Sequence, residues 1–436
     1  MSTIKNICLL NDSFPPMIDG VANAVFNYAS IIEKNYGHAI VGTPNYPNVY
    51  DPYPFEVIRY DSLDTTKLAG YRFGIPLRLS HLSEYKRKNI DIIHAHCPIS
   101  SMVLARVLRD ELEKPIILHY HTKFDIDIKR AVDAKILQDI AIRSLVENIS
   151  YADEVWVVSK GAGENLRSLG YQGKYIVMRN GVDFDKGKAP DDIISKLRED
   201  YRIPSDRPVY LFVGRMMWYK GIRIILDALK TLKKEGKNFL MIFVGDGMER
   251  EQIEEYTKDL GLMEDCLFTG AFRDRTILKG FYSLADLFLF PSTFDTNGIV
   301  VSEASASGLS SVLIRGSCAA EEVTEDQNAF LIEEDASSLA KKLLELGDNK
   351  ELFRKTGERA MEELYLSWED SVAAAWKRYQ VVSDSFVYQK PTLLNDSKIT
   401  DNLFYAAAEL ASGLDIVRKR SEMIENKVDS FIDRWL

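Results

Sequence analysis

Two cations five residues apart give the first chemical lead in this chain. In Gly214-Arg215-Met216-Met217-Trp218-Tyr219-Lys220-Gly221, a guanidinium and an ammonium sit on a loop bounded by glycines. Arginine presents a planar fork to phosphate oxygens and lysine a compact point charge, so the pair suits a polyphosphate. A diphosphate leaving group gains negative charge as its bond breaks, and fixed cations beside it favour the transition state. Alone, either residue reads as an ordinary surface charge; the strand–Gly–Arg–Lys–Gly–helix context argues for a ligand. A second loop, Pro291-Ser292-Thr293-Phe294-Asp295-Thr296-Asn297-Gly298-Ile299, leads into a helix bearing Glu303, eight positions beyond Asp295. Carboxylates accept hydrogen bonds from hydroxyls, which suits ribose and sugar recognition. Asn297-Gly298 places backbone amides at a helix entrance, where an anion is favoured. An ordinary helix cap is the plainer reading of the same residues.

The N-terminal half offers a weaker counterpart. After Asn11-Asp12 a loop runs to Gly20 at a helix entrance. No G-x-G-x-x-G occurs, so the dinucleotide fingerprint is absent. Four of the six histidines fall in His94-Ala95-His96 and His119-Tyr120-His121-Thr122. No carboxylate or cysteine spacing completes a zinc set around them, so no metal site and no cofactor are expected. A histidine facing a cleft would instead hydrogen-bond a substrate hydroxyl.

These loops need strands and helices to position them. Apolar runs at Ile4–Leu10, Ile92–His94, Ile116–His119, Glu154–Ser159 and Tyr175–Met178 predict one series of buried strands. Val209–Val213, Leu240–Val244, Leu267–Thr269, Leu287–Phe290 and Ser311–Ile314 predict a second. Amphipathic stretches such as Ala22–Glu33 and Ile222–Glu235 lie between them, which implies α/β architecture with parallel sheets covered on both faces. The pattern breaks near residues 185–205, where Asn180-Gly181 and the prolines of Ile203-Pro204-Ser205-Asp206-Arg207-Pro208 punctuate a restart. A chain of 436 residues is expected to form two domains. The expected division is residues 1–190, residues 191–366, a helix over 367–388 and a helical tail over 389–436. In that tail Leu403, Ala407, Leu410, Leu414, Val417, Ser421, Ile424, Val428, Phe431 and Trp435 follow alternating four- and three-residue steps. Such a heptad seam predicts either docking on its own chain or association with a second copy or a partner subunit.

The net charge of −10 argues against a nucleic-acid partner, because backbone affinity needs surplus Lys and Arg. Neither a secretory leader nor an apolar run of membrane-spanning length is apparent. The four scattered cysteines predict buried free thiols, and together these features predict a cytoplasmic location.

In combination, Gly214-Arg215…Lys220-Gly221, Pro291-Ser292…Asp295…Glu303, His94-Ala95-His96, Tyr120-His121-Thr122, Asn180-Gly181-Val182-Asp183 and Ser367-Trp368-Glu369 resemble the retaining glycosyltransferases of family 4. The resemblance covers about residues 5–380. It implies a GT-B fold, two Rossmann-like doubly wound domains facing a central cleft, with a nucleotide-sugar donor held mainly by the second and no metal requirement. By matching position, it implies that Arg215 and Lys220 bind the donor diphosphate and that Glu303 holds the ribose hydroxyls. Asp295, Asn297, Gly298 and Ile299 would hold the sugar and phosphate, with His121 near the reacting sugar. Gly20 and Gly214 would approach the phosphates, and Phe272 and Arg273 belong to the segment that receives the nucleobase. Asp295 departs from the glutamate usual at its position, and its shorter side chain would shift donor-sugar preference or weaken catalysis. Ser310-Ser311 departs from a usual proline.

Transfer to a hydroxyl of a glycan, lipid or protein is the activity so implied, with a uridine or guanosine donor both open. A sugar-nucleotide epimerase and a non-catalytic partner subunit are the competing readings. Lys67–Asn89, with Lys86-Arg87-Lys88, is read either as a peripheral membrane contact or as a solvated helix face.

Overall fold

A computed structural model describes residues 4–17, 19–66, 72–76, 79–124, 128 and 134–389. The heptad tail lies outside the described residues, as does part of Lys67–Asn89.

The chain divides into two compact units. Among the described residues, one comprises those up to 156, 165–176 and 375–389; the other comprises 157–164 and 177–374. The helix Trp368–Ser385 begins in the second and ends in the first.

The strands in chain order are β1 (Asn6–Leu10), β2 (His38–Pro44), β3 (Glu56–Tyr60), β4 (Ser62–Leu63), β5 (Phe73–Gly74), β6 (Ile92–Ala95), β7 (Ile116–Tyr120), β8 (Glu154–Val157) and β9 (Ile176–Val177). They continue as β10 (Val209–Val213), β11 (Leu240–Val244), β12 (Cys266–Gly270), β13 (Leu287–Phe290), β14 (Ser311–Ile314) and β15 (Phe330–Ile332). One sheet has the order β3-β2-β1-β6-β7-β8-β9, the other β12-β11-β10-β13-β14-β15, and β4 pairs with β5 in a small antiparallel ribbon. The pairings from β3 to β7 and from β12 to β15 are parallel. Both are Rossmann-like sheets whose order reverses beside the first strand, and ligands of such sheets bind outside the carboxyl ends of the strands at that reversal.

The sequences explain this layout. Val-Tyr-Leu-Phe-Val in β10 and Leu-Met-Ile-Phe-Val in β11 are buried throughout, as central parallel strands flanked by helices must be. Helix Ile222–Lys234 turns Ile222, Ile225, Leu226, Leu229 and Leu232 inward at the helical period. All ten expected strands are present, although Tyr175–Met178 shortens to Ile176–Val177. β2, β3, β4, β5 and β15 lie outside the expected runs. β3 alternates partly and fully buried positions after an exposed Glu56, as an edge strand does, and β15 is three residues long.

Cys8, Cys97 and Cys266 are buried free thiols as expected, whereas Cys318 is partly exposed. Among the described residues no helix is long and apolar enough to cross a membrane.

Candidate functional site

In the second unit the order reversal lies between β10 and β13, and the loops leaving these two neighbours carry the expected residues. The β10 loop is pinned to β11 and the residues after it: Gly214 N–H donates to Val244 O and Met216 N–H to Asp246 O, both at 3.0 Å. A 3-10 turn, Trp218–Lys220, ends at Gly221, whose φ is +79°. A Cβ on Gly221 would lie 1.8 Å from Pro291 O, so only glycine lets this loop press against the start of the β13 loop.

That approach joins the two loops chemically. Lys220 is buried, and its Nζ donates to Asp295 Oδ1 at 2.5 Å. Ser292 Oγ donates to Asp295 Oδ2 at 2.6 Å. The Lys220 ammonium lies 5.6 Å and 5.7 Å from the ring centroids of Tyr219 and Phe294. Arg215 is exposed, with Cζ 5.8 Å from the Tyr219 ring. Both expected cations thus flank Tyr219, and the expected sugar-side carboxylate holds one of them.

Gly298, at φ +58°, begins helix Ile299–Ala306. A Cβ there would come within 2.9 Å of Ala319, so the tight entrance also depends on glycine. One turn in, Glu303 is 4% exposed and has a partner on each oxygen. Arg275 donates to Oε1 at 2.5 Å and Tyr282 Oη to Oε2 at 2.8 Å. Burial first and the Glu303 carboxylate second push the Tyr282 phenol well above its ordinary range, so it stays a donor. The Arg275 guanidinium also lies 4.3 Å over the Phe184 ring.

Sequence reasoning had picked Arg273 and missed Arg275 and Tyr282. Arg273 is exposed; Phe272 is half-buried and packs on Phe281 with centroids 5.3 Å apart. The available signal was spacing: Arg275 and Tyr282 are seven apart in helix Arg275–Leu284, hence on one face, two turns from each other. An open pocket within this unit is lined by Asn297, Gly298 and Ser302 together with Lys160, Arg179 and Glu321. Glu321 accepts from the backbone of Lys160 at 2.7 Å and Gly161 at 2.5 Å, and Arg179 pairs with Glu322.

In the first unit the reversal lies between β1 and β6. Asp19 caps helix Gly20–Asn35, accepting from Val21 N at 2.8 Å and Ala22 N at 2.7 Å. A Cβ on Gly20 would meet nothing within 4 Å, so this glycine is not demanded by local packing. β6 and β7 run side by side and bring the four histidines together. His94 Nδ1 lies 2.7 Å from Tyr379 Oη, and His96 Nδ1 lies 2.9 Å from His121 Nε2. Burial above all, then the neighbouring rings, lowers His94, His96 and His121 well below the usual imidazole range, so all three are neutral at pH 7. One ring nitrogen each from His94, His96 and His119 lie within 4.8 Å of one another. A tetrahedral zinc with ligands at about 2.0 Å would need them about 3.3 Å apart.

In the basic run beyond the β4–β5 ribbon, Lys86 pairs with Glu111 and Lys88 with Glu56 at 2.5 Å.

Comparison with known proteins places this geometry in context. Residues 18–186 match the family described as Glycosyltransferase Family 4, and residues 193–363 match Glycosyl transferases group 1. The chain is 25% identical over 308 residues to an alpha-monoglucosyldiacylglycerol synthase of Streptococcus pneumoniae, covering 69% of each protein. It is 26% identical over 336 residues to a GDP-mannose-dependent alpha-mannosyltransferase of Corynebacterium glutamicum, covering 75% of this chain and 76% of that one. The solved structure of Anabaena Alr3699/HepE with UDP-glucose superimposes with a TM-score of 0.66 at 19% identity, over 87% of this chain and all of that one, which establishes a shared GT-B fold.

Proposed function

The chain belongs to the glycosyltransferases that join a family 4 region to a group 1 region, and from that premise we propose that it moves a sugar from a nucleoside-diphosphate donor to a hydroxyl acceptor, with retention at the anomeric carbon and without a metal ion. The observation that carries the reading is the cluster formed by the β10 and β13 loops, where Lys220 and Asp295 meet and Arg215 lies against the same Tyr219 ring as Lys220.

On this reading the donor diphosphate lies across Arg215 and Lys220. Glu303 accepts hydrogen bonds from the ribose hydroxyls, held in place by Arg275 and Tyr282. Asp295 and the amides at Gly298 and Ile299 receive the sugar and the phosphate beside it. Phe272 and Arg273 border the nucleobase. His121 and Gly20, from the first unit, act on the sugar and phosphate. As the anomeric bond lengthens, negative charge grows on the diphosphate and the two cations offset it. On this reading attack is front-face, with the departing phosphate taking the acceptor proton.

The glucosyl and mannosyl relatives leave the sugar open between the two, and the diacylglycerol relative makes a lipid hydroxyl the acceptor to test first. The pairing of Lys86 and Lys88 favours a solvated helix face over a lipid contact at that segment. The heptad seam of the tail carries two readings, docking on its own chain and association with a second copy or a partner subunit, and sedimentation of the full chain against one ending at residue 389 would separate them. A thermal-shift screen against UDP- and GDP-sugars, followed by nucleotide-release assays with lipid and glycan acceptors, tests the function. A stabilising donor that is turned over only with an acceptor supports it; isomerisation of donor without acceptor would replace it with the epimerase reading.

A further inference from the structure

We infer that Glu249 is a positioning residue for transfer: from the loop after β11 it holds the turn that carries Lys220, and so sets where that ammonium stands. The inference rests on the reading that Lys220 offsets the charge of the donor diphosphate.

The β10 loop is laid along the β11 loop at a period of two residues. Gly214 N–H donates to Val244 O and Met216 N–H to Asp246 O, so every second residue after β10 keeps a partner on the β11 side, as within a sheet. The two backbones press closely together. A Cβ on Gly245 would lie 1.9 Å from Gly214 O, and one on Gly247 would lie 2.6 Å from Met216 O. The next donor in the series is Trp218 N–H. By that point the chain beyond β11 is entering helix Arg250–Asp259, and a side chain takes the place of a carbonyl: Trp218 N–H donates to Glu249 Oε2 at 2.6 Å.

Trp218 opens the 3-10 turn Trp218–Lys220, and the first N–H groups of such a turn have no partner inside it. Met217, before it, is extended and offers no side-chain cap. Glu249 supplies the cap from another element. It stands at the N-cap position of helix Arg250–Asp259, yet its side chain makes no capping bond to that helix. The Trp218 ring is held on the same side, 5.6 Å from the Tyr256 ring of that helix and 4.6 Å from the Arg223 guanidinium. Lys220 N–H then donates to Met217 O at 3.0 Å, and Gly221 N–H to Trp218 O at 3.1 Å. Freeing Trp218 N–H loosens the turn from which the buried Lys220 side chain reaches Asp295. A fixed cation favours a transition state only when it is placed before the charge develops, so the loss falls on the chemical step. Glu249 is asked only to accept one hydrogen bond, which the amide oxygen of a glutamine also does.

The test uses the full chain, assayed well below its melting transition. Glu249→Leu removes the acceptor and should lower kcat by about 10–100-fold with donor KM within about threefold, as misplacement of a catalytic group does. Glu249→Gln should stay within about threefold of wild type in kcat. Amide hydrogen exchange across residues 214–221 should quicken by about tenfold in Glu249→Leu and by less than about threefold in Glu249→Gln, a readout that needs neither donor nor turnover. In a Lys220→Ala background Glu249→Leu should lower kcat by less than a further factor of about two; independent multiplication of the two effects overturns the inference. A Glu249→Leu kcat within about threefold of wild type, or unchanged exchange in the segment, overturns it as well. Glu249→Ala, which leaves room for water at the cap, carries the same comparisons where the leucine variant does not fold. If Lys220→Ala alone leaves transfer intact, the diphosphate reading fails and the catalytic part of the inference with it, and the exchange rates still decide whether Glu249 holds the turn.

Discussion

Replacing Lys220 with alanine separates the chemical role of the cluster from its structural one. The Lys220 side chain is 8% exposed, and its ammonium lies 2.5 Å from an Asp295 carboxylate that is 23% exposed. Two unit charges about 4 Å apart near a protein surface interact by about 4 kcal/mol at an effective dielectric of about 20. Solvent and Arg215 share the task of offsetting a departing diphosphate, so loss of one fixed donor should cost about 2.7–4 kcal/mol in the transition state, or about 10²–10³ in kcat. The folding cost should be smaller. Asp295 keeps its bond from Ser292 and its partial contact with water, so about 1–2 kcal/mol is expected rather than the about 3–5 kcal/mol of a fully buried orphan. In a domain of this size that is a melting shift of roughly 2–8 °C. Nucleotide release under saturating donor, measured well below the melting transition, gives kcat. Lys220→Arg should retain part of the rate because the charge survives. A Lys220→Ala rate within about tenfold of wild type, or a loss that disappears on cooling, would refute the diphosphate assignment.

Three further outcomes are expected. Glu303→Gln keeps the shape but removes the charge that Arg275 and Tyr282 address, and should weaken donor binding about 10–100-fold by calorimetry. Gly221→Ala places a side chain at φ +79° against Pro291 O and should destabilise the protein by about 2–4 kcal/mol in urea unfolding, with the donor-induced thermal shift reduced alongside. Stability should fall as pH drops below about 6.5, the ordinary imidazole value, because the unfolded chain binds protons there that buried His94, His96 and His121 refuse. The contribution is fully present above pH 6.5 and is lost towards the depressed folded values, with a limiting slope of about 4 kcal/mol per pH unit for three protons; a urea midpoint flat between pH 7 and 5 would contradict it.

Local sequence was a good guide wherever function rides on an uninterrupted apolar strand. β10 and β13 are such runs, so the loops after them and their Arg, Lys and Asp could be found directly. That Lys220 touches Asp295 could not, because the contact spans 75 positions and depends on β10 and β13 being neighbours. Arg275 stayed hidden for a related reason: its partner Glu303 lies on a different helix. The two HxH pairs were visible, but their stacking needs β6 beside β7. β3 mixes Glu56 and Arg59 into its pattern as edge strands do, and its apolar signal is diluted accordingly.

The helix Trp368–Ser385 has a bearing on how the protein is made. Tyr379 is fully buried against Trp156, with ring centroids 5.4 Å apart, and Arg378 pairs with Glu154, so residues made after the second sheet complete the core of the unit begun first. Domains usually fold in order of synthesis. Here the first unit leaves the ribosome lacking one of its own layers, with the aromatic and imidazole cluster around Trp156 and His94 uncovered until residue 385 emerges. The second unit meets no such delay, since its sheet and most of its helices are finished earlier. Nascent chains truncated before residue 375 should therefore protect the later-made sheet from protease sooner than the earlier one, reversing the order of synthesis.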